Sequence, residues 1–181
     1  MPSESNIEWA NIVSSLTGGN RSVASYYDEA ETSSIDVLTI LNNGGKVCAT
    51  IGLMDTPHDP PTEILMDSAG DDIKLENIIS TAAFFIMKDG WKIRPGAVFE
   101  SLVAEYHPEL ALKHLLFVPQ YQWGEALSKV KLKQGYVYPL LAVAVSDGEL
   151  DFISKNGVSA LENLWEKEDV GVLNWHRSSS V

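Results

Sequence analysis

The sequence predicts a single α+β domain spanning residues 1–181, with a mixed, mostly antiparallel sheet and helices packed on it. Three observations carry that expectation. Several segments repeat apolar residues at helical spacing between capping signals. Several short runs are rich in β-branched and aromatic residues, and Asn42-Asn43-Gly44-Gly45 stands between two of them as a tight-hairpin signal. A chain of 181 residues, 45% hydrophobic and 21% charged, has the composition of a globular protein and enough apolar side chains for one core. No repeat, linker or low-complexity tract divides it.

The first helix is expected from about Asn6 to Leu16, with Ser5 and Glu8 as a capping box and Ile7, Ala10, Val13 and Leu16 repeating every third residue. Gly18-Gly19 ends it. Strands follow at Ser22 to Tyr27, Ile35 to Leu41 and Lys46 to Asp55, the last two joined by the hairpin. Apolar residues fall on both faces of these two strands, so both faces should be covered. Thr56 to Pro61 holds three prolines and must be a loop. A short strand at Ile64 to Met66 precedes the longest helix, Ile73 to Lys88, for which Asp72 is the expected N-cap. Apolar residues on more than one side of that helix, Phe84 and Phe85 included, place it against the sheet.

Asp89-Gly90 stops the helix, Pro95-Gly96 marks a turn, and Ala97 to Tyr106 fits either a short helix or an irregular segment. His114 to Val118 reads as a buried strand closed by Pro119, and Tyr136 to Val145 as a longer one. Ser146 with Glu149 forms a capping box for a helix that stops at Asn156-Gly157. Ser159 with Glu162 is read as another, opening a helix to about Glu168 with Leu161, Leu164 and Trp165 inward. An extended piece near Val170 to Leu173 closes the domain.

Charge is distributed unevenly. Residues 1–72 hold 12 of the 25 acidic residues against only Arg21 and Lys46, so this part carries about −10 of the net −12. A one-sided negative field repels nucleic acid and anionic lipid and speeds encounter with a cationic protein. Protein binding is the function class this implies, with no nucleic acid and no membrane as partner. The expected carriers are the cluster Asp28, Glu29 and Glu31, and the loop acids Asp55, Asp59, Asp71 and Asp72. Trp123 and Trp175, set among polar neighbours, are the expected aromatic anchors. With neither a signal-like N-terminus nor a run of membrane-spanning length, the expected compartment is the cytoplasm.

Signatures of catalysis are missing. The sequence has no glycine-rich phosphate loop with its Lys, no GxGxxG, no GxSxG and no HExxH. Asp55, His58 and Asp59, with Asp71 and Asp72, offer ligands of the kind divalent cations use, but the prolines already account for the loop, and no metal or other cofactor is expected. His107, Glu109 and His114 could form an acid/base group, yet they fall in a turn and at a strand start, where structural histidines are the simpler reading. Cys48 is the single cysteine, so it can form no internal disulfide, and a thiol centred in a strand is inert. Lys129, Lys131 and Lys133 alternate with apolar residues, which fits an edge strand guarded against unwanted pairing.

Several segments, taken in order, resemble the suppressor-of-fused (SUFU-like) family in its compact bacterial form. They are Tyr26-Tyr27-Asp28 followed by Ile35-Asp36-Val37, Thr50-Ile51-Gly52-Leu53, and Ser80-Thr81-Ala82-Ala83-Phe84 in the first half. The second half adds Pro95-Gly96-Ala97-Val98-Phe99, His114-Leu115-Leu116-Phe117-Val118-Pro119, Leu140-Leu141-Ala142-Val143 and Gly157-Val158-Ser159-Ala160-Leu161. Bacterial members look like immunity proteins or antitoxins encoded beside secreted toxins, often nucleases, and the eukaryotic relative sequesters transcription factors. The resemblance implies a non-enzymatic immunity protein that occludes a cognate protein toxin, a cationic nuclease domain. An intracellular regulator capturing a peptide by sheet-edge addition is the alternative, and a metal-assisted hydrolase using His58, Asp55 and Asp59 is a third reading.

Overall fold

The computed structural model describes residues 3–181. Its central element is a seven-stranded sheet in the order β1-β2-β3-β4-β9-β6-β5, antiparallel except for one central parallel pair, β4 with β9. The strands are β1 Asn20–Tyr27, β2 Ser34–Asn42, β3 Gly45–Ile51, β4 Ile64–Ser68, β5 Val98–Phe99, β6 Leu112–Pro119 and β9 Leu140–Ser146. A separate hairpin pairs β7, Val130–Leu132, with β8, Gly135–Val137. The helices are α1 Glu4–Thr17, α2 Leu75–Met87, α3 Leu102–Tyr106, α4 Asp147–Asn156 and α5 Val158–Lys167.

Both faces of the sheet are covered because alternate residues of its strands are apolar in both directions. On one face Val37, Met66, Leu115 and Ala142 pack with Ile78, Ile79 and Ala82 of α2 and Leu102 of α3. On the other, Leu38, Val47, Leu116 and Val143 pack with Trp9 and Val13 of α1, the β7–β8 hairpin, and Leu161 and Trp165 of α5. The predicted hairpin forms as expected, with Asn42 paired to Gly45 and Gly44 at a φ of 96° that favours glycine.

Several expected details are corrected. Ser3, not Ser5, caps α1 by accepting the Asn6 N–H, and the helix turns Trp9 and Val13 inward while Ile7 and Leu16 face out. A strict three-residue spacing drifts by about 60° per step around a helix of 3.6 residues per turn, so Ile7, Ala10, Val13 and Leu16 cannot share one buried stripe. β3 ends at Ile51 because Gly52, at a φ of 98°, turns the chain into a short 3₁₀ turn over Leu53–Asp55. Asp72 does not cap α2. That helix starts three residues later, and the imidazole of His107 accepts the Lys74 N–H just before it.

Farther along, the ambiguous segment splits into β5 and α3 at Ser101, whose φ is 62°. The single strand expected from Tyr136 to Val145 is divided at Pro139: β8 leaves for the small hairpin and β9 enters the centre of the large sheet. The Ser146–Glu149 capping box is present in full, whereas Ser159 lies inside α5, which follows α4 directly after Gly157. Val170 to Leu173 is a turn rather than a strand, held by the Ala69 N–H donating to the Leu173 carbonyl.

Candidate partner-binding surface

Asp28 occupies the turn between β1 and β2, where its carboxylate accepts the N–H groups of Thr32 at 2.7 Å and Ser33 at 3.0 Å. Lys88, from the end of α2, pairs with it as well. The ion pair with Lys88, then the turn N–H groups, hold its carboxyl well below the usual carboxylate range. Asp28 is therefore a buried fastener between turn and helix, with no face left for a partner. Glu29 and Glu31 stand exposed beside it, Glu31 on a left-handed backbone with φ 52°.

Strand direction divides the remaining acids. Asp55 and Asp59 lie on the chain that leaves β3, at the sheet end shared with the β1–β2 turn, since Asp36 pairs with Ile51. Asp71 and Asp72 follow β4, at the end shared with the β2–β3 hairpin, since Lys46 pairs with Ser68. The five residues of β4 separate the two sets by roughly 17 Å. All four acids are exposed, but Asp55 accepts the Asn6 amide at 3.0 Å and Asp72 accepts the His176 ring N–H at 2.5 Å. The loop acids that the sequence offers as carriers of partner binding thus stand at two opposite ends of the sheet.

Neither tryptophan stands free. Trp175 is buried against the α2 side of the core and donates its indole N–H to the Asp67 carbonyl at 2.9 Å. Trp123 is half-buried, packed on the opposite core. Sequence reasoning passed over a different aromatic and acidic cleft of about 490 Å³, lined by Tyr121, Trp165, Glu162, Glu166 and Asp169, with no basic side chain in its wall. Burial raises the Glu162 carboxyl. Its signal was present in the sequence: Glu162 and Glu166 lie four apart on one helix, a spacing that puts like charges on one face.

The groups that could do chemistry are tied into the fold. His58 accepts the Thr62 N–H and donates to the Thr56 hydroxyl, and burial lowers its pKa. His107 accepts from Lys74 and donates to Glu109, while His114 accepts the Ser101 N–H and donates to Asp147. In each ring both nitrogens are engaged, as structural histidines require. The Cys48 thiol is buried in β3 and pushed up to about 12 by burial. Among the described residues no group of three or more His, Cys, Asp or Glu is arranged to hold a metal ion. No helix among them is long and apolar enough to cross a membrane.

A covered, mostly antiparallel sheet with one central parallel pair and helices on both faces is an α+β fold of the suppressor of fused type. Residues 31–178 match the family model of suppressor of fused protein (SUFU), and the chain belongs to that family. It is 31% identical over 184 residues to the immunity protein YqcF of Bacillus subtilis strain 168, covering 95% of each chain. Its fold superposes with a TM-score of 0.81 on a SUFU homolog from Neisseria gonorrhoeae, at 14% identity and over 98% of this chain and 97% of that one. The chain of the Sufu–Fu complex matches with a TM-score of 0.71 at 15% identity, over 99% and 93%. Drosophila Suppressor of Fused matches at 0.64 and 15%, where this chain spans about half (52%) of that protein.

Proposed function

We propose that this chain is an immunity protein that binds a cognate toxin and neutralises it by occlusion, without catalysis. The observation that carries the reading is the 31% identity to the immunity protein YqcF across 95% of both chains. The charge supports it: 25 acids against 13 bases leave a net −12, and Glu29, Glu31 and Asp59 stand exposed at one end of the sheet. Such a surface is complementary to the cationic groove by which a nuclease holds nucleic acid, so a nuclease domain is the partner it fits best. Action in the cytoplasm, ahead of the toxin's target, belongs to the same reading. Occlusion needs only a durable complex, which agrees with histidines and a cysteine committed to structure.

Co-expression with any toxin-like reading frame found beside its gene tests this. Growth should be restored when the protein is present, and the two chains should co-purify as a complex. Unchanged toxicity overturns the proposal.

A further inference from the structure

The two edges of the large sheet are treated differently by the fold. One is β5, a strand of two residues. The other is β1, eight residues long, exposed at every position except the half-buried Tyr26. Natural edges are blunted by shortness, lysines, prolines or bulges. The β7 strand follows this rule with Lys131 and the flanking Lys129 and Lys133, whereas β1 carries no Lys or Pro and pairs with β2 in unbroken register from Asn20 to Tyr27. Its one cation, Arg21, is turned onto α1, 3.0 Å from the Asn11 side chain.

The register shows which groups are free. Asn42 and Gly45 close the two-residue hairpin and so exchange hydrogen bonds, which makes Leu41, Thr39, Val37 and Ile35 bond toward β1. Their partners Asn20, Ser22, Ala24 and Tyr26 bond inward, leaving the N–H and C=O groups of Arg21, Val23, Ser25 and Tyr27 pointing outward. Among the described residues no other backbone group meets them. The side chains of these four residues share the α1 face, where Val23 and Tyr27 are 55% and 62% exposed. Beside them lies a groove of about 370 Å³ lined by Ile7, Ala10, Leu38, Ile51 and Asp36.

We propose that β1 is the docking edge of this protein, and that a β-strand of a basic partner protein adds to it, placing apolar side chains over Val23 and Ile7. Charge selects the occupant. Glu29 and Glu31 follow directly on β1 and Asp36 lies opposite Ser25, so a strand carrying lysines or arginines is attracted. A second copy of this chain would bring the same acids and another −12 of net charge. The proposal rests on the immunity reading for the partner's identity, but the edge itself is testable alone.

The probe is an N-acetylated heptapeptide alternating Lys with Val and Thr, compared with its Glu counterpart by backbone amide exchange on the full chain. The Lys peptide should slow exchange at Arg21, Val23, Ser25 and Tyr27, and Val23→Pro, which removes an outward N–H, should weaken its binding about tenfold with little change in Tm. Ala24→Pro removes an inward bond and should lower Tm instead. Absence of protection on β1, equal protection by the Glu peptide, or a β1-dependent dimer in sedimentation each overturns the proposal. In the toxin assay the two ideas separate. Failure of the wild-type protein to rescue growth defeats the immunity reading alone, whereas rescue by Val23→Pro equal to wild type defeats the docking edge.

Discussion

Glu63 and Glu149 are both fully buried, and their surroundings push them in opposite directions. Burial would raise Glu149, but the Arg177 fork, with contacts of 2.7 and 3.1 Å, and hydrogen bonds from Ser180 and Ser146 outweigh it, so its carboxyl titrates below the ordinary range. Its stabilisation is present above the ordinary carboxyl pKa and is lost as pH falls through the depressed value. Arg177→Ala would strand a buried charge, and urea unfolding should show a loss of about 3–5 kcal/mol. Among the described residues Glu63 has no cation beside it: Gly52 and Met54 N–H groups donate to one oxygen, the Thr50 hydroxyl donates to the other, and burial pushes it up to about 8. Folded protein therefore holds a proton that the unfolded chain has released between the ordinary 4.5 and about 8, so stability declines as pH rises through that window. Glu63→Gln, a mimic of the neutral acid, should flatten this part of the Tm–pH curve. Trp175 belongs at this scale too: Trp175→Ala should destabilise by about 3–5 kcal/mol, through the emptied core and the orphaned Asp67 carbonyl. Partner affinity of the remaining folded protein should hardly change.

Among the elements, α4 shows local chemistry sufficient to define a boundary. Ser146 accepts the Glu149 N–H while Glu149 accepts the Ser146 N–H, so the two residues close the helix start between themselves. Ser146→Ala should cost about 1 kcal/mol, read as a lowered midpoint in urea. The hairpin of β2 and β3 was legible for the same reason, since Asn43-Gly44 needs only its own backbone to turn. Other boundaries depend on distant partners. The start of α2 is decided by His107, 33 residues away from Lys74, and no residue near Asp72 announces that. The inward face of α1 is selected by Trp9, whose indole N–H reaches the Thr50 carbonyl at 2.8 Å. Tyr136 to Val145 looked continuous because Pro139 interrupts pairing without interrupting the apolar pattern. Val137 belongs to the small hairpin, paired with Val130, while Leu141 lies in the large sheet.

Over the whole molecule, charge is arranged by topology. Antiparallel strands return the chain to the same two ends, so acids close in sequence, such as Asp59 and Asp71, are carried apart, while Glu29 and Asp59 come to one end. If the end beside β1 steers the partner, Glu29→Gln with Glu31→Gln should slow association several-fold at low salt and flatten its salt dependence. Asp71→Asn with Asp72→Asn should leave both nearly unchanged. Stopped-flow mixing with the proposed toxin partner at two ionic strengths separates these outcomes.

The amino-acid sequence by itself determined the class of fold, most of the helices and strands in their order along the chain, the family, and the net acidic character. These follow from periodicity, capping pairs, turn residues and composition, all of which act over a few residues or over the chain as a sum. Only the tertiary structure decided that Asp28 and Trp175 are internal fasteners, that the loop acids split between two ends, and that the outer edge of β1 is left unpaired along its length. Each of these depends on which strand lies beside which and on what a distant segment brings, and burial and charge at a side chain are set by those neighbours rather than by the residues adjoining it in the chain.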